Sequence, residues 1–176
     1  MGSEMCIRDR SIFNISDVEE TGKDFEENAI LKAKNAFTKT NISSVGDDSG
    51  LIVPAINNEP GLYSARYAGL NATDSDNRNK LISKLKDNKL QSTYAYFFCC
   101  IVAVGIKGQN EIIVCDGKVE GEVRTIERGE KGFGYDPMFY PKGYSESFAE
   151  LNSLEKNKIS HRGQALKKLM DKLNKT

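Results

Sequence analysis

The chain has 176 residues with 25 basic and 25 acidic side chains, so its formal net charge is zero. A chain of this length buries roughly 70% of the surface that its unfolded form exposes, which predicts one domain with a hydrophobic core. Without a net charge, the chain has no overall field that would attract nucleic acid or an anionic membrane, and neither is expected as a partner. No apolar run approaches the roughly 20 residues of a membrane span, so we predict a soluble, cytoplasmic protein.

The predicted elements begin after residues 1–10, which have neither strand alternation nor helical periodicity and are interpreted as disordered or foreign to the protein. Apolar residues at helical spacing predict an amphipathic helix over 24–39 with Asp24 as its N-cap. Two short strands, "SSVGDD" and "GLIVPAI", come next and are followed by turn residues and a second helix over 73–90.

Two long segments, 92–106 and 110–126, alternate in polarity and are rich in β-branched and aromatic residues, which predicts hairpin strands at the centre of a sheet. A glycine-rich loop follows, then a short helix near 147–152 and a last helix over 160–173. Because hairpins and helical crossovers both occur in this order, we predict one α/β domain over 11–176 with a mixed sheet flanked by helices. The four cysteines lack metal-type spacing and are expected to be buried, reduced thiols.

The motif "GDDSGL" places two adjacent aspartates at the predicted end of a strand, where two carboxylates repel each other and are costly to bury. Strand alternation puts Asp47 and Asp48 on opposite sides, so that one faces a given cleft while the other satisfies backbone donors in a turn. A carboxylate in this place can bind Mg²⁺ or take a proton from water. The structural alternative is an ordinary aspartate-rich turn, which has the same sequence.

Three further motifs carry candidate chemistry, and each has a purely structural alternative. Glu27 follows Asp24 at the spacing of a helix-capping pair and also lies where a metal ligand could approach the strand. The loop "GFGYDP" offers aromatic faces on which a base could stack and an acceptor, Asp136. The structural alternative is a tight turn with aromatic side chains in the core. The loop is not a P-loop, because it lacks the Lys-Ser/Thr pair of that motif. The only histidine, His161, and its neighbour Arg162 follow the predicted N-cap Ser160. In this place they could face an anion or a carbonyl group of a ligand. The structural alternative is an ordinary surface pair.

Four segments in order resemble the inosine triphosphate pyrophosphatase family, enzymes that remove non-standard purine nucleoside triphosphates: "FEENAILKAKNA", "DDSGLIVPAINNEPGLYSARYAG", "GFGYDPMFYP" and "ISHRGQALKKL". The resemblance runs from about Val18 to Leu173. It implies an elongated sheet in two lobes with a central cleft, and a homodimer. It also implies Mg²⁺-dependent hydrolysis of ITP, dITP or XTP at the α-phosphorus, which gives the monophosphate and pyrophosphate.

The resemblance further implies roles for the acidic residues. Asp48 would be the base that activates water and a metal ligand, and Glu27 would be a second metal ligand. Asp47 would support the turn and is a candidate third ligand. Carboxylates and a metal ion suit this reaction, because phosphoryl transfer depends mainly on positioning and on neutralised charge.

The positions that the resemblance assigns to nucleotide binding are Ser49, Phe133, Gly134, Tyr135, Asp136, Lys156, His161 and Arg162. Phe133 would stack on the purine, Lys156 would hold the nucleotide, and His161 with Arg162 would read the 6-keto edge of the base. A donor pair at this edge accepts a keto oxygen but meets the amino group of adenine badly, because a buried donor that faces another donor stays unsatisfied.

The amino terminus departs from the family pattern. The family opens with a strand and a loop of the type T/S-x-N-x-x-K that holds the triphosphate, and residues 1–17 contain no match to it. We therefore expect an N-terminally truncated chain that keeps the metal ligands and the catalytic base but only part of the triphosphate-binding site. Two other hypotheses stay open: a non-catalytic purine nucleotide binder or inactive copy, and an enzyme for modified pyrimidine triphosphates, which should not carry both "SHRG" and "GFGYDP".

Overall fold

The computed structural model describes residues 18–106 and 111–175, so the predictions for residues 1–17 lie outside the described residues. The helices are α1 Phe25–Thr40, α2 Asp74–Asp87, α3 Ser153–Ile159 and α4 His161–Asn174. The strands are β1 Ser44–Val53, β2 Glu59–Pro60, β3 Ser92–Val104, β4 Ile112–Arg124 and β5 Phe139–Pro141. None of the helices in this part of the chain is long and apolar enough to cross a membrane.

The strands form one sheet in the order β2-β1-β3-β4-β5, with the long hairpin β3–β4 at its centre as predicted. The α/β fold with a helix-flanked sheet is confirmed, but every pairing between described strands is antiparallel, where a mixed sheet was predicted. The reason is the position of α2. Ile52 near the end of β1 lies opposite Tyr96 near the start of β3, so α2 is an insertion at one end of an antiparallel pair and does not cross the sheet.

The long strands carry separate cores along their length. In one half, α1 covers one face through a cluster that includes Ala33 and Val102, and α4 covers the other face through a cluster that includes Ile101 and Leu169. The other half holds a larger core with Phe97 and neighbours from α2 and β5. This division matches the two lobes that the family resemblance implies, and the candidate site lies where the halves meet on β1.

Three local predictions differ from the structure. β1 is one ten-residue strand where two short strands were predicted. Residues 147–152 form a turn held by the hydrogen bond from Glu150 N–H to the Ser147 carbonyl group, not a helix. A helix instead follows as α3, which the sequence did not suggest because none of its residues is buried. The described cysteines are free and buried, as predicted: Cys99, Cys100 and Cys115.

Candidate functional site

β1 carries the motif "GDDSG" in its middle, and its side chains alternate between the two faces of the sheet. Gly46, Asp48 and Gly50 share the α1 face. A Cβ atom on Gly46 would lie 2.6 Å from the backbone nitrogen of Ala33, and one on Gly50 would lie 2.3 Å from a backbone oxygen of the 3₁₀ turn Gly61–Arg66. The two glycines therefore let α1 and this turn close on β1 around Asp48, which is why "DDSG" and "PGLYSARYAG" occur together.

Asp48 is buried, with 8% of its surface exposed. Lys32 Nζ donates a hydrogen bond to its Oδ1 at 2.7 Å, and Asn28 Nδ2 donates to its Oδ2 at 3.2 Å. Burial raises the pKa of the Asp48 carboxyl group, although the ammonium group of Lys32 opposes that rise. A partly desolvated carboxylate that is fixed by two donors is suited to taking a proton from water.

Lys32 belongs to a charge cluster that joins α1 to the segment before it. Its ammonium group lies 2.7 Å from Oε1 of Glu20, and the second carboxylate oxygen of Glu20 accepts a hydrogen bond from Arg66. Burial alone would lower the pKa of Lys32, but its bonds to Asp48 and Glu20 raise it above the ordinary value. The cluster places Lys32 beside the candidate base and Arg66 on the other oxygen of Glu20, and both cations supply the positive charge that phosphates need.

Sequence reasoning missed four residues of this cluster: Glu20, Asn28, Lys32 and Arg66. A signal was present for two of them, because Asn28 and Lys32 are four residues apart and each precedes one of the buried alanines, Ala29 and Ala33. Polar side chains inside an apolar helical face need partners there. Glu20 and Arg66 gave no such signal, because their contact depends on how the chain folds back before α1.

Glu27 lies exposed in the first turn of α1. Its carboxylate accepts a hydrogen bond from the N–H of Lys23 at 2.8 Å, and its own N–H donates to Asp24 Oδ1 at 2.8 Å. The predicted capping interaction is thus confirmed. The role of Glu27 as a metal ligand stays a prediction, since no hydrogen bond within the described residues joins it to the Asp48 cluster.

The carboxylates near Asp48 fit a magnesium ion that arrives with a phosphate ligand. Within residues 18–106 and 111–175, no group of three or more histidine, cysteine, aspartate or glutamate side chains is arranged to hold a metal. Mg²⁺ needs fewer protein ligands, because it keeps several waters and binds one or two carboxylates plus substrate phosphates. Asp48 and Glu20 both contact the Lys32 ammonium group at 2.7 Å and supply oxygens of this type in one place.

Asp47 and Ser49 lie on the opposite face of β1, toward α4. Arg162 donates to Oδ2 of Asp47 from Nε at 3.0 Å and from Nη2 at 2.6 Å, and Nη2 also donates to the Ser49 hydroxyl at 3.4 Å. The predicted turn is absent, because β1 pairs with β3 through both aspartates. Asp47 therefore orients Arg162, and strand alternation directs its side chain away from an ion held by Asp48.

The predicted base-binding loop is closed by a buried carboxylate. Asp136 is 3% exposed, and its Oδ2 accepts hydrogen bonds from the N–H of Phe133 at 2.8 Å and from Lys156 Nζ at 2.5 Å. Phe133 is left 61% exposed, and Lys156 Nζ lies 4.8 Å and the guanidinium carbon of Arg162 lies 5.9 Å from the centre of its ring. An exposed ring beside two cations is a stacking surface for a base.

Two other loop residues have structural roles. Tyr135 is 3% exposed, and its hydroxyl group donates to the carbonyl oxygen of Ser64 at 3.0 Å. A contact between Tyr135 and a nucleotide would therefore have to come from its backbone. Gly134 has a φ of +59°, and no atom lies within 4 Å of where its Cβ would be, so backbone conformation rather than crowding requires glycine there.

His161 is the first residue of α4 and is 8% exposed. Its imidazole stacks on Phe97 with ring centres 4.8 Å apart, and within the described residues its Nδ1 is buried without a hydrogen-bond partner. Burial, with the positive charges of Arg162 and Lys156, lowers the pKa of His161 to about 3. The ring is thus neutral near pH 7 and offers one N–H donor instead of the two of an imidazolium ion.

The depressed pKa of His161 predicts a pH dependence of folding stability. Because the pKa is about 6.5 in an unfolded chain and about 3 in the folded protein, stability is complete above pH 6.5 and falls as the pH drops toward 3. Between pH 7 and pH 5 this single group should cost about 2 kcal/mol of unfolding free energy. Urea unfolding should show that extra loss in the wild type relative to His161→Gln. Equal losses in the two proteins would contradict a neutral, buried imidazole.

The glycine of "SHRG" joins α3 tightly to α4. A Cβ on Gly163 would lie 1.8 Å from a carbonyl oxygen of α3, and its N–H donates to Oγ of the predicted N-cap Ser160 at 3.1 Å. Ser160 N–H in turn donates to the carbonyl group of Lys156 at 2.8 Å. This junction keeps Lys156 on α3 close to His161 and Arg162 on α4, so the three predicted binding residues lie together.

A cavity of about 400 Å³ lies elsewhere, at the junction of β4 and β5. Its lining includes Tyr94, Glu120, Tyr140 and Tyr144 and shares no residue with the surfaces around Asp48 or Phe133. This cavity is therefore separate from the candidate site on the two faces of β1.

The chain is similar to known proteins over nearly all of its length. The model of the Ham1 family matches residues 3–172. A dITP/XTP pyrophosphatase of Idiomarina loihiensis is 44% identical over 98% of this chain and 86% of its own length, and one of Bacillus anthracis is 46% identical over 91% and 79%. The solved structure of a HAM1 protein from Coxiella burnetii has a TM-score of 0.88 at 42% identity, covering 95% of this chain and 85% of its own. The Staphylococcus aureus Ham1 protein has a TM-score of 0.84 at 44% identity, covering 94% and 84%.

Proposed function

This chain belongs to the Ham1 family, and from that premise we propose that it hydrolyses non-standard purine nucleoside triphosphates, namely dITP, ITP and XTP, to the monophosphate and pyrophosphate. The observation that carries the proposal is the arrangement around β1. A buried, cation-paired carboxylate, Asp48, lies on one face, and the exposed ring of Phe133 with Lys156 and Arg162 lies toward the other. The name of the relatives, dITP/XTP pyrophosphatase, supports the same activity.

In the proposed complex the purine stacks on Phe133. Lys156, held by Asp136, adds positive charge beside the ring, and Arg162, held by Asp47, directs its remaining N–H groups to the 6-keto oxygen. The neutral imidazole of His161 contributes a single donor at the same edge. A 6-amino group would leave these donors unpaired, so adenine nucleotides are disfavoured.

The phosphates reach Asp48 past the edge of β1. Within the described residues, the side of β1 that faces away from β3 pairs with another strand only at Ile52 and Val53, so no described strand pairs with that edge beside Asp48. Lys32 and Arg66 exchange their contacts with Glu20 for contacts with phosphate oxygens. Asp48 accepts the proton of the water that attacks the α-phosphorus, and pyrophosphate leaves as the P–O bond to the β-phosphate breaks.

We propose Mg²⁺ as the cofactor. Asp48 and Glu27 are the ligands that the family resemblance implies, and Glu20 is a further carboxylate in the Asp48 cluster. When bound, the ion would neutralise the phosphate charge and polarise the scissile anhydride. The oxygen-rich donor set is of the kind that Mg²⁺ prefers.

A homodimer and a cytoplasmic location are also part of the proposal, and both rest on the family resemblance. Light scattering coupled to size exclusion tests the first, since a dimer has twice the mass of the 176-residue chain. A monomer at micromolar concentration would contradict it.

A nucleotide panel tests the proposed activity. With Mg²⁺ present, pyrophosphate release from ITP, dITP and XTP should exceed release from ATP by about 100-fold in kcat/KM, because the donors at the 6-position cannot pair with the amino group of adenine. The panel also includes dTTP. Nucleotide binding without turnover would favour the non-catalytic binder instead. Faster turnover of dTTP would favour a pyrimidine-specific enzyme.

The same panel tests the role of Arg162. In Arg162→Ala the preference for ITP over ATP should fall by about tenfold, which is the size of effect expected for one charged hydrogen-bond donor. Arg124→Ala is the matched control, because Arg124 lies at the end of β4 over Tyr140 and outside the candidate site. An unchanged preference in Arg162→Ala would exclude this residue from base reading.

A further inference from the structure

We infer that α2 is part of the nucleotide-binding apparatus, because Asp74 and Arg78 hold the backbone of the loop that presents Phe133. These are positioning residues, and they act on the nucleotide through Gly134. The inference rests on the proposed function only in assigning Phe133 to the base. No sequence motif points to either side chain, since both lie between the segments that carry the family resemblance.

The contact is a clamp on both polar groups of one residue. The N–H of Gly134 donates to Asp74 Oδ2 at 2.6 Å, and Arg78 Nη1 donates to the Gly134 carbonyl oxygen at 2.9 Å. Asp74 and Arg78 are four residues apart on α2, so they project from the same helical face. Each bond includes a charged partner and is therefore stronger than a bond between two neutral groups.

Asp74 is not needed to cap its own helix. Thr73 is the N-cap, and its side chain and the carboxylate of Asp76 form a complete capping box. Arg78 has a second contact besides Gly134, because its Nε lies 3.0 Å from a carboxylate oxygen of Glu127, an ion pair without hydrogen-bond geometry. The clamp residues are thus placed by α2 and Glu127, and their remaining hydrogen-bonding capacity is directed at Gly134.

The clamp holds the backbone on the carboxyl-terminal side of Phe133, whereas Asp136 holds the N–H of Phe133 itself. Asp136 holds the N–H of Phe133, and α2 holds both polar groups of the next residue. Without α2, the left-handed Gly134 could change conformation and let the exposed ring move away from Lys156 and Arg162. Base binding would weaken while Asp48, on the other face of β1, would keep its partners. The expected kinetic signature is a raised KM at a nearly unchanged kcat.

Steady-state kinetics with ITP test the clamp in Asp74→Ala and Arg78→Ala. Each change should raise KM by about tenfold, as expected for a lost hydrogen bond to a charged group, and leave kcat within about twofold. Arg78→Lys keeps one donor and should recover part of the loss. Inhibition by inorganic tripolyphosphate should not change, because that ligand has no base. Asp76→Ala is the matched control, since it weakens the same helix by removing the capping box without touching the loop.

A spectroscopic readout separates the clamp from the proposed activity. The chain contains no tryptophan, so Phe133→Trp introduces a single reporter on the loop. Adding Asp74→Ala or Arg78→Ala should lower its fluorescence anisotropy and raise its quenching by acrylamide about twofold, whereas adding Asp76→Ala should change neither. Unchanged fluorescence and KM in both clamp variants, or equal changes in Asp76→Ala, would overturn the inference. A wild-type chain without ITP turnover would refute the proposed function, and the fluorescence result would still decide the clamp.

Discussion

Replacing Asp48 by asparagine is expected to lower pyrophosphate release from ITP by about 10³-fold, because the amide cannot take a proton from the attacking water. Asparagine has nearly the same shape and keeps one acceptor for Lys32, which retains its ion pair with Glu20, so the change removes only the 3.2 Å hydrogen bond from Asn28 Nδ2. The fold should therefore persist. Pyrophosphate release and thermal unfolding, measured on the same preparation, separate a loss of chemistry from a loss of structure.

The control for this change is Asp87→Asn. Asp87 is an exposed carboxylate at the carboxyl end of α2, and its replacement removes the same charge outside the Asp48 cluster. Its activity should equal that of the wild type. An Asp48→Asn protein that kept more than about a tenth of the wild-type rate would contradict the role of Asp48 as the base, since general bases contribute at least about 10²-fold.

A single added methyl group at Gly117 in β4 is expected to damage both stability and activity. Its Cβ would lie 1.9 Å from the carbonyl oxygen of His161 and 2.8 Å from the backbone nitrogen of Ala165. Because both atoms belong to the backbone of α4, no side chain can rotate away, and the start of the helix must move. Overpacking of this kind costs about 1–3 kcal/mol. Since the shift carries His161 and Arg162 with it, kcat/KM for ITP should fall by about 10²-fold.

Urea unfolding and ITP kinetics of Gly117→Ala test this close approach. Lys118→Ala is the matched control, because it changes the next residue of the same strand on the exposed side. The control should unfold like the wild type and keep its kcat/KM. If Gly117→Ala matched the control in both measurements, α4 would not depend on the absence of a side chain at this point of the sheet.

Periodicity predicted the elements whose burial is one-sided or alternating. α1, α2, α4, β3 and β4 were all anticipated to within a few residues, and the caps Asp24 and Ser160 are as predicted. β1 was divided because Ser49 and Gly50 were interpreted as turn residues. In the structure both are strand residues, and at Gly50 another backbone approaches closely, which a sequence pattern cannot distinguish from a turn.

α3 was not predicted, because its sequence has no periodic apolar pattern. It has no buried residue and therefore no apolar stripe, and it is defined by its N-cap Asn152 and by its tight junction with α4 at Gly163. The short helix was predicted near 147–152, about one turn too early, where Phe148 and Ala149 lie. They are buried in a turn, where the backbone of Ala149 lies close to Gly129.

The family motifs identified the candidate site residues, but not how they are connected. The adjacent residues Asp47 and Asp48 illustrate the difference. Alternation correctly separated Asp47 from Asp48, yet the partners of each, Arg162 on one face and Lys32 on the other, come from helices far apart in the chain. Side-chain pairing across such separations depends on packing angles and close glycine contacts, and no local pattern encodes them.

In the proposed reaction, water attacks the α-phosphorus of a purine nucleoside triphosphate. Hydrolysis of ITP in H₂¹⁸O, followed by mass spectrometry of the products, tests it most directly. We predict IMP that carries one ¹⁸O atom, together with unlabelled pyrophosphate. Label in the pyrophosphate, or release of IDP with inorganic phosphate, would contradict the proposed reaction.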